Sequence, residues 1–144
     1  VLTLLLLMLA ARADDAHPFT CCDDAAVEGL VGAWLDTAEQ LAAGKPHADA
    51  MARLAAASKS TSRAADRPAF AIVHAEAERL SGLSLAAARA DLGPLARHVL
   101  WLALHHESGS LKVVQATCPG VGSWLQRDRK SAQNPYGSRC GALR

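Results

Sequence analysis

Cys118 and Cys140 frame the part of this sequence whose residue types can do chemistry. Around them stand Cys118-Pro119-Gly120, Ser123-Trp124-Leu125, Asn134-Pro135-Tyr136-Gly137 and Cys140-Gly141. Two thiolates brought together by turns supply two soft ligands, enough for linear Cu(I) or part of a larger set. Oxidised, the same pair is a disulfide that closes a loop of about twenty residues and stabilises by about 3 kcal/mol in the chain-entropy picture. The residue types leave both states open. Trp124 and Tyr136 are expected to anchor this tail on the rest of the fold, each burying ring area and keeping a polar tip outside. Asn134-Pro135-Tyr136-Gly137 is turn chemistry, with Pro fixing φ and Gly permitting a positive one.

Histidines are the next candidates. His98 and His105 lie near one helical stripe but about 10 Å apart by helical rise, too far to share an ion. Either can join Cys118 or Cys140 if the tail folds back. His105 and His106 also end their helix, where an imidazolium suits the dipole. His47 and Met51, four residues apart, share a helix face. Together they can take Cu(I), although a Met on an apolar stripe is more commonly core. Cys21 and Cys22 are adjacent, and neighbouring cysteines rarely bond each other. They are expected to tie down the N-terminus, meet a metal or stay free. No Gly-rich phosphate loop, His-Glu-x-x-His or Gly-x-Ser-x-Gly occurs, and nothing orients Cys118 and a distant His as a nucleophile pair. The expectation is a protein that is not an enzyme.

The elements that must position these residues read as helices. Asp23 or Asp24 can cap a first helix whose stripe runs Val27, Leu30, Val31, Trp34, Leu35, Ala38, Leu41 and Ala42. Gly44 ends it, and Pro46 opens a second over 46–58 with Met51, Leu54 and Ala55 inward. A polar, Ser/Thr-rich stretch over 58–67 is a loop. Pro68 opens a third helix with Phe70, Val73, Ala77 and Leu80 on one face, closed by Ser81-Gly82. Ser84 caps a fourth, striped from Leu85 to Ala103, with a kink expected at Gly93-Pro94. Alternation over 111–117 fits a short strand, and the stretch around Trp124 reads as loop with one helical turn. Short connections between four stripes predict an all-α fold, an antiparallel four-helix bundle with a Cys-containing loop and short-strand tail packed on it.

The chain has 144 residues, a one-domain length, and about half are apolar, enough for an ordinary core. A net charge of +1 gives no electrostatic case for nucleic acid. Residues 1–9 form an apolar run, and Ala11-Arg12-Ala13 fits a signal-peptidase site. The domain reading is therefore a signal peptide over 1–13, a leader over 14–24 and the helical domain with its Cys tail over 25–144. The run is too short to span a bilayer, so no stable membrane span is expected after cleavage. The expected location is periplasmic or secreted, an oxidising compartment where thiols pair or meet metals.

Over roughly 25–142 the pattern resembles a bacterial periplasmic domain of unknown function that occurs alone or fused to CusB/HlyD-type adaptors of copper and silver efflux systems. The resemblance is carried by Cys118, Pro119, Trp124, Leu125, Asn134, Pro135, Tyr136, Cys140 and Gly141, together with the helical pairs before them. The family usually has Met directly after Cys-Pro; here that position is Gly120, one soft donor fewer. The segment between Cys118 and Trp124 is also shorter than in that family. The resemblance implies a helical fold and periplasmic binding of a soft metal, chiefly Cu(I), with a periplasmic adaptor of a metal efflux pump as partner. On that reading the metal ligands are Cys118 and Cys140 with His98 or His105. The competing expectation is a helical interaction module stapled by a Cys118–Cys140 disulfide, without metal.

Overall fold

Apolar residues spaced three and four apart build most of this chain into helices, and two short segments not read as strands complete a sheet. The computed structural model describes residues 15–128 and 134–137. The segment read as a signal peptide (1–13), Cys140 and Gly141 lie outside these residues. In order come β1 (Asp15–Cys21), α1 (Ala25–Ala42), α2 (Ala48–Ala57), α3 (Arg67–Ser81), α4 (Leu85–Ala90), α5 (Gly93–His105), β2 (Leu111–Cys118) and β3 (Gly122–Gln126). A single 3-10 turn, Ala64–Asp66, leads into α3.

The expected all-α four-helix bundle is overturned. The fold is mixed, with five helices and a three-stranded antiparallel sheet of order β1-β2-β3 among the described residues, α5 and α1 packing on β3. The predicted strand over 111–117 forms as β2, at the centre of that sheet. The leader supplies one edge, with Asp15 opposite Thr117 and Cys21 opposite Leu111. Pro18 lies inside β1, which an edge strand tolerates because its outer side needs no ladder donor. The other edge is β3, where a helical turn was expected. It pairs Trp124 with Ala116 and Gly122 with Cys118. Cys118-Pro119-Gly120-Val121 is the hairpin turn between β2 and β3. Val121 N–H donates to the Cys118 carbonyl at 3.0 Å, and Gly120 takes φ +76°. Pro at the second position and Gly with positive φ at the third is type II turn chemistry.

The helices follow their sequence signals more closely. Asp24 is the cap of α1, its Oδ1 accepting from Ala26 N–H at 2.9 Å and Val27 N–H at 3.1 Å. At the other end, the Arg89 guanidinium on α4 donates to the Leu41 carbonyl, satisfying one of the orphan acceptors of a helix terminus. The expected kinked fourth helix is two helices. Pro94 stands in the first turn of α5, where its missing N–H costs nothing, and α4 stops before it. Helix α1 packs against α2, α5 and β3, while α3 packs between α2 and α5. Buried Trp34 on α1 ties these layers, its Nε1–H donating 2.9 Å to the Leu125 carbonyl of β3. From the far end of β3, Arg127 pairs with Asp36 at 2.9 Å and Glu39 at 3.2 Å on α1.

Candidate functional site

Strand β2 delivers Cys118 to the hairpin, buried to 1% exposure and already disulfide-bonded. Cys140, the other half of the sequence-derived site, lies outside the described residues. Across the hairpin Trp124 is buried, its Nε1–H donating to Gln126 Oε1 at 3.0 Å. Its ring meets Tyr136 edge to face, centroids 6.0 Å apart. The turn expected at Asn134-Pro135-Tyr136-Gly137 forms. Gly137 N–H donates to the Asn134 carbonyl, Tyr136 N–H to Asn134 Oδ1, and Gly137 takes φ +72°. Burial pushes the Tyr136 hydroxyl pKa up, with the nearby Arg97 charge working against it. The two aromatic rings meet as expected, but Trp124 is buried together with its Nε1–H, so its polar tip is not left outside.

Both candidate histidines on α5 point a nitrogen at their own helix. His98 Nδ1 donates to the Pro94 carbonyl at 2.6 Å and His105 Nδ1 to the Trp101 carbonyl at 2.8 Å. A carbonyl only accepts, so Nδ1 carries the proton of each contact. The His105 ring also lies on Trp101, centroids 3.8 Å apart. Among the described residues no three or more His, Cys, Asp or Glu side chains converge in a way that would hold a metal ion. His47 and Met51 are core, with His47 Nε2 bonded to the Leu80 carbonyl at 3.1 Å and Met51 fully buried.

Cys21 and Cys22 depart from expectation, because they are bonded to each other. β1 ends at Cys21, which frees Cys22 from the alternation of the strand, so both side chains turn into the core. Gly109 closes over them. A Cβ there would stand 2.7 Å from the Cys22 carbonyl oxygen, and its φ is +113°.

The most connected polar group was missed at the sequence level. His106 is 3% exposed and lies between two carboxylates, with Nδ1 at 2.6 Å from Asp23 Oδ1 and Nε2 at 2.9 Å from Asp66 Oδ2. Arg63 Nη1 also stands 3.5 Å from Nδ1. Arg63 has only donors, so the far shorter Asp23 contact decides that Nδ1 donates to the carboxylate. Arg63 turns its charge to Asp24 at 3.3 Å and Asp23 at 3.8 Å. The hydrogen bond from His106, assisted by the Arg63 charge and by Ser108, holds the Asp23 carboxyl below its ordinary value against a burial effect that raises it. Both ring nitrogens are occupied, so this ring clamps the β1–α1 junction, the turn before α3 and the end of α5 together. A signal for it exists in the stripe. Val99, Leu102 and Ala103 extend by three and four to position 106, which points His106 inward and His105 outward.

One large side chain remains outside. Trp34 and Trp124 are buried, whereas Trp101 on α5 is 40% exposed, beside Leu104 and, on α3, Ile72. It stands between two open grooves, of about 480 Å³ on the α3 side and about 390 Å³ on the hairpin side. No protein-family model, curated protein or solved structure matches this chain.

Proposed function

We propose that this protein is a disulfide-stabilised α/β binding module of an oxidising compartment, periplasmic or secreted, that works by docking a partner rather than by catalysis. The carrying observation is the oxidation state of its sulfur. Cys21, Cys22 and Cys118 are all in disulfides, and a disulfide sulfur is not a thiolate ligand. With Cys21 and Cys22 joined to each other, Cys140 is the cysteine left in the sequence to partner Cys118, and we assign that pairing. The Cys118–Cys140 staple would tie the segment that carries Cys140 to the β2–β3 hairpin. Thiol counting without reductant on the unfolded protein is expected to return zero. A Cu(I) titration of the unreduced protein against a competing chelator is expected to show no uptake. Free thiols together with tight one-to-one uptake would overturn the reading.

A second reading follows from His98 and His105, each of which bonds its own helix through Nδ1. Once the Cys118 disulfide is reduced, its thiolate, Cys140 and one of these rings form a soft set suited to Cu(I) delivery to a periplasmic efflux adaptor. This is the role that the tail resemblance implies. Its signature is uptake that appears only after reduction and is lost in Cys118→Ser.

A further inference from the structure

The α5 face around Trp101 combines exposed apolar area with an exposed arginine. Trp101, Leu104 and Ile72 are the large hydrophobic residues left exposed among the described residues, at 40%, 36% and 38%. They are neighbours along one surface, because Trp101 lines both grooves, Ile72 the first and Leu104 the second. Arg97, one turn before Trp101, also lines both grooves. Among the described residues no Asp or Glu lines either groove and none pairs with Arg97, whereas Arg63, Arg79 and Arg127 are each answered by carboxylates. His98 adds a second basic group at the first groove. The two grooves are open and meet across the Trp101 ring, which suits an extended chain crossing the helix better than a small molecule enclosed in a cavity. Trp and Arg are also among the residue types enriched where interface energy concentrates.

We propose that this face docks an acidic peptide segment of a partner protein, with an apolar side chain covering Trp101 and a neighbouring carboxylate pairing with Arg97. This rests on the binding-module reading and names its surface and the chemistry of its partner. The apolar contact supplies affinity, because it removes Trp101 and Ile72 from water. The carboxylate supplies selection, because an Arg guanidinium answers it with two parallel hydrogen bonds.

The test uses the unreduced protein and a displayed library of random twelve-residue peptides, followed by anisotropy titration of the enriched peptides made synthetically with a dye. Enriched sequences are expected to place Asp or Glu beside Leu, Phe or Trp. Trp101→Ala is expected to weaken them by about tenfold or more, and Arg97→Gln by about three- to tenfold. Arg97→Gln should cost nothing further once the peptide acid is replaced by its amide, and raised salt should weaken binding of the acidic peptide alone. Trp34 and Trp124 are buried, so acrylamide quenching of intrinsic fluorescence reports Trp101 and should fall on binding. Both substituted positions are exposed, so thermal melts should match the parent. Binding that survives Trp101→Ala overturns this surface while leaving the module reading standing, which fails separately on the thiol count and Cu(I) titration. No enriched peptide, enriched peptides without acids, binding to anionic vesicles alone, or micromolar self-association that shields Trp101 would each overturn the proposal.

Discussion

His106 and Gly109 show how single residues decide the junction where β1 meets α1. Truncating His106→Ala removes the hydrogen-bond partner of the buried Asp66 carboxylate, and leaving a buried polar group unsatisfied costs about 1–3 kcal/mol, more for a charged one. Urea titration of the variant should show that loss as a lowered midpoint. Asp23 adds a pH dependence whose sign follows from its lowered pKa. The folded state favours the ionised carboxyl, so its contribution is complete above the ordinary value of 3.8 and disappears as pH falls through the lower folded value. Parent protein should therefore lose more stability between pH 5 and the acid limit than Asp23→Asn does, measured as the two urea midpoints across that range. At Gly109, an alanine meets the Cys22 backbone and needs a φ of +113°, so neither obstacle can swing away. Gly109→Ala should cost about 1–3 kcal/mol by the same titration. The tail anchors and the turn at residues 134–137 were legible because Trp, Tyr, Pro and Gly each carry one narrow preference. His106 was legible only in part, since the stripe points it inward but both acids that it meets stand far away in sequence.

At the scale of elements, α1 to α3 were legible because period, cap and stop signals agree on them. The sheet was not. β1 carries Pro18 and no clean alternation, and β3 is five residues long, so neither signals a strand without its partner. The Pro119-Gly120 pair did hold the information, since that dipeptide marks a type II turn, but its place beside Cys118 reads equally as part of a cysteine motif. The break at Pro94 reflects a similar balance. A proline placed at the start of a helix satisfies its own geometry and leaves α4 and α5 separate instead of bending one helix. Helix α1 offers a prediction in the opposite direction from the others. A Cβ at Gly29 meets nothing within 4 Å, and the position is exposed on the helix. Gly29→Ala should stabilise by about 0.5–1 kcal/mol, visible as a raised thermal midpoint, because it restricts the unfolded chain and costs no packing.

For the whole molecule, the proposed Cys118–Cys140 bond bears on stability without bearing on the core. Cys118→Ser in the unreduced protein should lower unfolding free energy by about 3 kcal/mol, mostly through a freer unfolded chain. Far-ultraviolet dichroism of the native state should stay unchanged, since β2 and β3 are also held by their ladder and by Trp34. The order of the sheet has a separate consequence for how the molecule comes into being. Its middle strand is β2, and the partner on one side, β1, is separated from it in sequence by all five helices, with Cys21 opposite Leu111. The helices can coil early from local contacts, yet β1 must wait as a lone ribbon until that long loop closes. Closing it is thus expected to be the slow step of folding.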